Sequence, residues 1–523
     1  MSIKYVTVAE MQAIEREANE AGFNYDYMME NAGRNLAEAI LDEYGYLEGG
    51  GSLGLVGSGN NGGDTLVALT YLAQEGWKAT AVVVRPRPLD DPLLVRLRLA
   101  GGEIVLMDKS PDMDHLKRLI GENEIFLDGV LGTGIRLPLK GELSQLLSTV
   151  RDHVGKMGKP PVIVAVDCPS GVDCDSGEAA PECIPADLTV TMAAIKQGLY
   201  KFPAFNLVGE LRLVGIGLPE NGESMEAWKA VKSFIPDADW VNQTLPHRPL
   251  DSHKGTFGAA MVIAGSENYT GAALLAGQAA YRIGAGLVTL ALPAPLHAAL
   301  AGHFPEATWL LLPHKNGVIA DIAWEDVVNN LERVTSLLIG PGFGLEETTG
   351  RFLSQLITHT CDLPPLVVDA DGLKLLKRVP GWSDHLPKPA VLTPHPGEMS
   401  VLTDLPVAEI QQNRLDVARR FSSQWGHVIV LKGAFTAIAA PDGQAAVIPV
   451  ATPALARAGT GDVLAGLIVG LRAQGLAAFP AAVAGAWIHA YAGLQAAQIL
   501  GNSASVLAGD ILRAVIQVVS NLQ

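Results

Sequence analysis

Short, uninterrupted apolar runs alternate with helical patterns along the whole chain, and this alternation constrains the fold more than any other feature. A continuous apolar run is typical of a strand covered on both faces, and strands that alternate with helices form parallel sheets. The sequence therefore predicts doubly wound α/β domains. The predicted strands comprise residues 53–56, 81–84, 125–127, 162–166, 188–190, 259–264, 287–291, 337–339, 366–368, 390–392 and 428–431.

The alternation lapses between residues 217 and 249, where prolines and a turn-rich segment at 219–223 interrupt it. A chain of 523 residues is too long for one ordinary core, so we expect a domain junction in this lapse. We place it near residue 225, which gives domains of residues 1–225 and 226–523. The two halves carry different glycine-rich signatures, which indicates a fusion of unlike domains and not a duplication.

Composition and charge exclude several classes of protein. Hydrophobic residues make up 48% of the chain and charged residues 18%, a balance that fills a core and is not that of a disordered protein. The formal net charge is -17 and no basic stripe is present, so we expect no nucleic-acid partner. The uncharged stretch at residues 283–300 contains two glycines and two prolines, so we interpret it as core turns and not as a membrane span.

The four cysteines and the charged N-terminal segment favour a reducing compartment. Cys168, Cys174, Cys183 and Cys361 form no CxxC pair, and free thiols are expected in so large a chain. The first 17 residues carry five charged side chains and do not resemble a signal peptide. We therefore expect a cytoplasmic protein that has no membrane partner.

Polar residues follow three predicted strands of the N-terminal half, at the strand ends where open α/β sheets bind ligands. The first strand leads into a glycine-rich turn at residues 57–64, which contains Asn-Asn-Gly-Gly-Asp and precedes a helix predicted over residues 65–75. Such a turn can hold an anion at the start of the helix. The other two strands lead into Asp128 and into Asp167 with Ser170.

Oxygen donors from these three strand ends are expected to meet at one edge of the sheet. Asn61, Asp128 and Ser170 form a set that fits a hard cation. Asp167 is a candidate acid or base, because it ends a buried strand in a cleft. A single aspartate at a strand end is more often a helix N-cap, but three polar strand ends together favour a functional site.

The most specific signal in the C-terminal half is the segment Ala-Gly-Thr-Gly-Asp at residues 458–462. Glycines allow a tight backbone turn, and the helix that we predict from about residue 462 would direct its N–H groups at a phosphoryl group. Asp462 lies in the first turn, where a carboxylate can accept the proton of an attacking hydroxyl. A simple N-terminal cap is the alternative role, and it would not require glycine on both sides.

Other strand ends in this half carry groups that can bind a nucleotide. Lys432 can reach a phosphate and Thr436 can donate a hydroxyl. His395 lies between two prolines, which fix its backbone and favour a binding role, and Glu398 can hold a metal ion or its bound water. The Walker A pattern is absent from the sequence, so the P-loop class is excluded.

These motifs together resemble a known fusion of two enzymes. The N-terminal half resembles the NAD(P)H-hydrate epimerases in the segments at residues 29–33, 59–64, 128–134 and 167–171. The C-terminal half resembles the ADP/ATP-dependent NAD(P)H-hydrate dehydratases of the ribokinase-like superfamily. Its matching segments are residues 253–258, 265–272, 340–344, 369–371, 395–399, 432–436 and 459–466.

The resemblance implies two three-layer α/β/α domains, the N-terminal one Rossmann-like and the C-terminal one ribokinase-like. It implies the repair of NADHX and NADPHX, the hydrates that form when water adds across the nicotinamide ring. The first domain would interconvert the R and S epimers of the hydrate. The second would phosphorylate the ring hydroxyl of the S hydrate from ADP and expel phosphate, which restores NADH or NADPH and leaves AMP.

The resemblance also implies roles for individual residues. Asp462 would be the base of the dehydratase, and Asp167 the acid or base of the epimerase, in contact with its substrate. The expected cofactors are Mg2+, ADP as phosphoryl donor, and K+ with the ligands Asn61, Asp128 and Ser170. The epimerase would bind the hydrate through Asn60, Asn61, Gly62, Gly63, Asp64, Gly132, Thr133, Gly134, Ile135, Arg136, Leu137 and Pro138. The dehydratase would bind the hydrate through Ala272, Gly342, His395 and Asp462, and the nucleotide through Lys432, Gly433, Ala434, Phe435, Thr436 and Gly461.

The chain departs from the family pattern at three positions near these sites. Thr65 follows the Asn-Asn-Gly-Gly-Asp motif where the family has glycine, Ala458 replaces a glycine, and Thr452 stands where asparagine is common. Thr65 fits a helix without strain if its φ angle is negative. The other two positions concern details of the nucleotide pocket and not the class of reaction.

Some expectations stay open at this point. Lys196 is a further candidate for the site of the first half, although its spacing alone does not place it there. Relatives assemble into symmetric oligomers, so a homo-oligomer is expected. An alternative function is that of a ribokinase-type small-molecule kinase, fused to a binding domain that has no catalytic activity.

Overall fold

Uninterrupted apolar runs form the central strands of two α/β units, Ile3–Lys232 and the residues from Ser233 onward. The α/β class is therefore as predicted. Cys168, Cys174 and Cys183 are buried free thiols, and Cys361 lies outside the described residues. The computed structural model describes residues 3–47, 49–88, 90–107, 112–360 and 362–522.

The two units part between residues 232 and 233, a few residues after the junction expected near residue 225. The short helix Glu226–Ala230 lies between these two points. The backbone N–H groups of Glu226 and Ala227 donate to the carboxylate of Glu17 at 2.9 and 2.7 Å. These hydrogen bonds attach the short helix to the first helix of the N-terminal unit, an interaction that composition alone does not reveal.

The N-terminal unit contains a seven-stranded sheet that is parallel throughout its described strands. All five runs predicted in this half are strands of it. The strands at its two edges carry charged residues and are only partly buried, which is why a search for apolar runs does not reveal them. In spatial order the strands are Glu103–Leu106, Lys78–Val83, Gly51–Val56, Ile125–Gly129, Val162–Val166, Leu188–Met192 and Glu210–Val214.

Helices cover both faces of this sheet. Ile125 and Leu127 pack into one apolar cluster, whereas Phe126 between them packs into a second cluster, as alternation along a strand requires. The unit therefore has three layers. A short parallel pair, Ile3–Val6 with Ile195–Lys196, adds to it. Its helices are Val8–Glu20, Tyr25–Tyr44, Asn60–Gln74, Pro92–Leu99, Met113–Gly121, Glu142–Val154, Phe205–Val208 and Glu226–Ala230.

The order of strands reverses between Gly51–Val56 and Ile125–Gly129. The chain first proceeds toward one edge of the sheet and then resumes beside its starting strand to build the other half. Such a reversal opens a crevice beyond the carboxyl ends of the two neighbouring strands, where ligands bind in open α/β sheets. The helix Asn60–Gln74 begins at this crevice.

The C-terminal unit contains one mixed sheet, parallel from its first strand to Val428–Leu431. The strand Ala437–Ala439 is antiparallel to both of its neighbours. All six runs predicted in this half are strands. In spatial order the strands of this sheet are Thr308–Leu312, Leu287–Pro293, Ala259–Ile263, Ser336–Ile339, Leu366–Val368, Val391–Leu392, Val428–Leu431, Ala437–Ala439, Ala445–Val447 and Ser233–Ile235. The strands His314–Lys315 and Val318–Ile319 form a separate antiparallel pair.

Two helices of this unit, Gly271–Arg282 and Thr460–Ala473, pack against each other very closely. A Cβ atom added at Gly466 would lie 2.2 Å from the carbonyl oxygen of Ala276, and one at Gly470 would lie 2.5 Å from Ile283 Cγ2. Near the helix starts, a Cβ at Gly459 would lie 2.9 Å from Leu275 Cδ1. The helices therefore run parallel, and both begin at the same end of the sheet.

The remaining helices of the unit surround this pair and the sheet. Ala478–Leu500 is 23 residues long, carries no formal charge and is mostly buried. No helix within the described residues has the length and apolarity needed to cross a membrane. The others are Ala238–Thr244, His297–Leu300, Ala323–Val328, Glu347–His359, Asp371–Leu376, Trp382–His385, Pro396–Thr403, Val407–Gln412, Arg414–Trp425 and Ala508–Ser520.

Candidate active sites

Asp167 occupies a strained backbone position at the crevice of the N-terminal unit. Its φ angle is 63°, in the left-handed region that residues other than glycine seldom adopt, and such strain is common at functional sites. Its Oδ1 atom accepts hydrogen bonds from Thr191 Oγ1 at 3.2 Å, from the Met192 N–H at 3.1 Å and from Lys196 Nζ. Its Oδ2 atom has no hydrogen bond within the described residues and is available to a ligand.

Lys196 is a fully enclosed cation whose charge is matched by Asp167. Its side chain is 2% exposed, and Nζ also donates to the Met192 carbonyl at 2.8 Å. Burial lowers the pKa of Lys196, but Asp167, with Cys174 and Cys168, outweighs this effect and the net shift is upward. The ammonium group is therefore retained, and the structure brings Lys196 into the site beside Asp167.

Two more carboxyl groups share this site. Burial, followed by the charges of Asp167 and Glu15, raises the pKa of Asp64 well above its usual range. Burial also raises the pKa of Glu15, on the first helix of the unit. One lysine thus lies near three carboxyl groups. Asp64 keeps its proton to a higher pH than an ordinary aspartate does. All four line a cavity of about 100 Å³ together with Asn60, Asn61, Thr133 and neighbouring apolar side chains.

The three predicted cation ligands lie around the carbonyl group of Leu131. Asn61 Nδ2 is 3.3 Å from this carbonyl oxygen and Ser170 Oγ is 3.4 Å from it. Ser170 also donates from Oγ to Asp128 Oδ1 at 2.5 Å and from its N–H to Oδ2 at 2.8 Å. The structure therefore brings Asn61, Asp128 and Ser170 together, as their strand ends predicted.

The Asn-Asn-Gly-Gly-Asp motif is helical, which corrects the prediction of a turn followed by a helix over residues 65–75. The helix starts at Asn60. Glycine is needed here for close packing, because a Cβ at Gly62 would lie 2.1 Å from the Gly57 carbonyl oxygen and one at Gly63 would lie 2.5 Å from Met29 Sδ. Thr65 continues the helix and donates from Oγ1 to the Asn61 carbonyl at 2.7 Å.

The second predicted binding segment of this unit, residues 132–138, is only partly at the cavity. Thr133 lines it, and a Cβ at Gly132 would lie 2.1 Å from Asn61 Oδ1. Gly134, Arg136 and Pro138 are exposed, and Ile135 and Leu137 are half-buried. None of these last five residues lines the cavity.

In the C-terminal unit, Asp462 lies in the first turn of the helix Thr460–Ala473, which starts two residues before the predicted position. Gly459 provides the left-handed turn before the helix, with a φ angle of 88°. Burial raises the pKa of Asp462 to about 7, helped by the nearby charge of Asp369 and opposed by Lys432. A carboxylate with this pKa can accept a proton near neutral pH.

Lys432 joins the acidic groups of this site. Its Nζ atom donates to Asp369 Oδ1 at 2.7 Å and lies 3.6 Å from Glu398 Oε2. Thr393 donates to the same Asp369 oxygen at 2.7 Å. A Cβ at Gly461 would lie 3.5 Å from Lys432 Nζ, so this ammonium group faces the start of the Asp462 helix. A positive side chain and a helix N-terminus thus converge, an arrangement suited to phosphate.

His395 caps the helix Pro396–Thr403 at its N-terminus. Its Nδ1 atom accepts hydrogen bonds from the N–H groups of Gly397 at 2.9 Å and Glu398 at 3.3 Å, and Nε2 lies 3.3 Å from Glu398 Oε1. Burial lowers its pKa, which favours the neutral form of the ring. The capping role and the predicted binding role are compatible, because half of the side chain remains exposed.

Ala272 and Gly342, predicted to contact the hydrate, are neighbours. A Cβ at Gly342 would lie 2.9 Å from Ala272 Cβ, and Gly342 has a φ angle of 65°. Two residues further along the same loop, the Gly344 N–H donates to Asp371 Oδ2 at 3.0 Å. Asp371 in turn contributes to the raised pKa of Asp462. The structure thus connects this small-residue surface to the proposed base.

A cavity of about 470 Å³ lies beside Lys432 and the start of the Asp462 helix. Of the predicted nucleotide contacts, Phe435 does not line it: its side chain is 3% exposed and its backbone has a φ angle of 55°. No group of three or more metal-binding side chains occurs in the part of the chain that the structure describes. The predicted contacts that do line the cavity are His395, Lys432, Gly433, Ala434, Thr436 and Gly461.

Two residues at these sites, Glu15 and His489, were not predicted from the sequence. Glu15 lies far from the strand-end motifs along the chain, and only tertiary packing places it beside Asp64. His489 lines the larger cavity from the helix Ala478–Leu500. It is the one histidine in a helix without charged residues, and that isolation is a signal that could have marked it.

Each of the two units matches a known protein family, and the chain as a whole matches known proteins. The family model described as YjeF-related protein N-terminus matches residues 26–198, and the model described as NAD(P)H-hydrate dehydratase matches residues 260–517. The bifunctional NAD(P)H-hydrate repair enzyme Nnr of Moorella thermoacetica is 36% identical over 528 residues, covering 99% of this chain and 97% of the relative. The protein of the same name from Salinibacter ruber is 35% identical, covering 92% of this chain and 89% of the relative.

A crystal structure of the ADP/ATP-dependent NAD(P)H-hydrate dehydratase from Bacillus subtilis, co-crystallised with ATP/Mg2+, is 32% identical to the part it matches. It covers 55% of this chain and 98% of that chain, with a TM-score of 0.48.

Two α/β units, each with ionisable residues at its strand ends, define a two-domain α/β enzyme. The chain belongs to the family of bifunctional NAD(P)H-hydrate repair enzymes, and the resemblance found in its motifs is confirmed.

Proposed function

We propose that this chain repairs hydrated NADH and NADPH through two activities. The N-terminal unit interconverts the R and S hydrates, and the C-terminal unit dehydrates the S hydrate with ADP, giving NAD(P)H, AMP and phosphate. The observation that carries the proposal is the position of Asp462. Its carboxyl group, with a pKa of about 7, lies in the first turn of a glycine-preceded helix beside the cavity that Lys432 lines.

In the dehydratase, Asp462 takes the proton of the ring hydroxyl while that oxygen attacks the outer phosphorus of ADP. The bond to the bridging oxygen breaks and AMP leaves. The phosphorylated hydrate then expels phosphate with the electron pair of the ring C–O bond, and loss of a neighbouring ring proton completes the removal of water. Lys432 and the N-terminus of the helix stabilise the charge on the migrating phosphoryl group.

Mg2+ is expected to accompany the nucleotide, and it would neutralise charge on the two phosphates. Mg2+ usually keeps several waters and binds phosphates together with one or two carboxylates, so it does not require a group of three protein ligands. Glu398 is a candidate carboxylate, since it is 4% exposed and lies next to Lys432.

In the epimerase, Asp167 is the proposed acid or base. Its Oδ1 atom is fixed by three donors, so Oδ2 is the atom that would transfer a proton at the substrate. Lys196 positions this carboxylate in the cavity that Asp64 and Glu15 also line. Asn60, Asn61 and Thr133 line the same cavity and would orient the hydrate.

K+ is the cation proposed for the cluster of Asn61, Asp128 and Ser170. Asp128, Ser170 and the Leu131 carbonyl offer oxygen ligands, which a hard cation prefers. Asn61 would add its amide oxygen after its side-chain amide turns, because its Nδ2 atom faces the Leu131 carbonyl in the structure. Asp128 is fully buried, and burial raises its pKa although hydrogen bonds to Ser170 oppose the shift. K+ would supply a positive counter-charge to the Asp128 carboxylate and would hold in place the loop that follows Asp128.

The test is the reaction of the full chain with a mixture of hydrate epimers and ADP. Recovery of the NADH absorbance band should reach completion, because the epimerase replenishes the S hydrate, and phosphate and AMP should form in equal amounts. The Asp167→Asn variant should convert the S hydrate at the normal rate and then continue only at the spontaneous rate of epimerisation. A stable phosphorylated product without NADH would contradict dehydration and would indicate the alternative, a small-molecule kinase.

A further inference from the structure

A buried histidine of the C-terminal unit has one ring nitrogen without a partner. His489 is 7% exposed, and its Nε2 atom makes no hydrogen bond within the described residues. The same side chain lines the cavity of about 470 Å³ beside Lys432 and Gly461. A buried polar atom without a partner is unfavourable. Because the side chain that carries this atom lines a cavity, a ligand bound there can supply the missing partner.

The hydrogen bonding of the ring defines what Nε2 can bind. Burial lowers the pKa of His489 to about 4, although a hydrogen bond with the backbone of Thr460 opposes the shift. The ring is therefore neutral at pH 7. Because Nε2 is unpartnered and the Thr460 contact favours the protonated form, this contact is Nδ1–H donating to a carbonyl. Nε2 then carries a lone pair and acts as an acceptor.

A second buried histidine of the same unit shows what a structural role looks like. His427 is completely buried, and burial lowers its pKa to about 4. Its Nδ1 atom accepts from the Ala390 N–H at 3.1 Å, and its Nε2 atom lies 2.9 Å from the Ser383 carbonyl. Both ring nitrogens are thus satisfied by the protein, and His427 does not line the cavity. His489 differs in both respects.

We propose that His489 Nε2 accepts a hydrogen bond from the nucleoside part of the phosphoryl donor and thereby contributes to the recognition of ADP. This proposal rests on the proposed function. The phosphates carry no donor at neutral pH, so an acceptor in this cavity favours a ribose hydroxyl or the adenine amino group. Val450, Leu455 and Leu464 also line this cavity and offer apolar contacts to the base, and Lys432 in its lining can bind a phosphate.

The test is calorimetric binding of ADP, 2′-deoxy-ADP, 3′-deoxy-ADP and inosine diphosphate to the full chain. The wild type should bind one of the three analogues about tenfold more weakly than ADP, and that analogue identifies the donor. His489→Phe should bind ADP about tenfold more weakly and bind that analogue as well as ADP. His489→Gln, whose side-chain oxygen reaches the Nε2 position, should restore much of the discrimination.

Two further variants separate recognition from stability. His427→Gln should lower the melting temperature and leave the ranking of the four nucleotides unchanged. If His489→Phe fails to fold, His489→Asn replaces it, since its amide reaches only the Nδ1 position and should lose the discrimination. The proposal is overturned if these His489 variants rank the nucleotides as the wild type does, which would leave Nε2 to water. Absence of any ADP binding by the wild type would instead overturn the proposed function.

Discussion

Lys432 donates from Nζ to Asp369 Oδ1 at 2.7 Å, and this hydrogen bond holds the lysine ammonium group beside Gly461. Burial lowers the pKa of Lys432, but Asp369 and then Glu398 outweigh it and the net shift is upward. Several carboxylates therefore share one cation. Any change to Lys432 alters the affinity of the site for phosphate and the protonation of Asp462 together.

Lys432→Met should weaken ADP binding by roughly 10- to 100-fold, the loss expected for a charge-assisted hydrogen bond. It should also move the acid limb of the dehydration rate to higher pH, because Lys432 lowers the pKa of Asp462. Calorimetry and the pH profile of NADH recovery measure the two effects. Lys388→Met is the control, because Lys388 forms an exposed ion pair with Asp384. This variant should change neither ADP binding nor the pH profile. An unshifted pH profile in Lys432→Met would contradict the electrostatic coupling between Lys432 and Asp462.

Asp462→Asn should slow dehydration by about 10²- to 10⁴-fold, the usual contribution of a general base, while ADP still binds. Asp416→Asn is a matched control, because Asp416 also lies in the first turn of a helix but is exposed. If Asp462 served only the helix dipole, both variants would lose about 0.3–1 kcal/mol of stability and no activity. NADH recovery at saturating ADP and hydrate distinguishes these outcomes, and a wild-type rate for Asp462→Asn would remove it from the mechanism.

The raised pKa of Asp462 makes stability depend on pH in a defined direction. The folded state binds more protons than the unfolded state between the ordinary value of 3.8 and about 7, so the free energy of unfolding should fall as pH rises through this window. Asp462→Asn removes this contribution, and its stability relative to the wild type should increase from pH 5 to pH 8. Urea unfolding of both proteins at pH 5, 6, 7 and 8 measures the difference; parallel curves would mean that the pKa is ordinary.

Asp167→Asn should nearly abolish epimerisation and leave dehydration of the S hydrate unchanged. Asparagine tolerates the positive φ angle of this position better than alanine does, so the backbone is preserved and the loss reports on chemistry. Chiral separation of hydrate epimers over time measures the rate. Asp173→Asn, in an exposed turn nearby, is the control and should epimerise normally. Normal turnover by Asp167→Asn would assign the proton transfer to another group, such as Asp64.

Much of the fold and of both sites could be predicted from the sequence, because parallel sheets place strand ends at a common edge. Asp128, Asp167 and Ser170 follow buried runs directly, so their meeting point follows from topology. The start of the helix at Asn60 could not be predicted in this way. Glycines read locally as a turn, whereas Gly62 is required because a Cβ there would lie 2.1 Å from the Gly57 carbonyl oxygen.

The missed site residues have a common physical reason. Glu15 and His489 lie on helices, and their approach to the cavities depends on how those helices pack against the sheet. Phe435 illustrates the opposite error: it belongs to a segment predicted to bind nucleotide, yet its side chain is 3% exposed and fills the core. Adjacent residues of one loop can thus have different roles, one in packing and the next in binding.

The glycine-mediated contact between the helices Gly271–Arg282 and Thr460–Ala473 has a consequence for how this enzyme can change. Asp462 and Ala272 sit in the first turns of two helices that touch backbone to side chain further along. The distance between Asp462 and Ala272 therefore depends on the close packing at Gly466 and Gly470, although neither glycine lies at the site. Changes in the surrounding loops can alter which substrate binds. A larger residue at either glycine would instead push the two helices apart and move both Asp462 and Ala272.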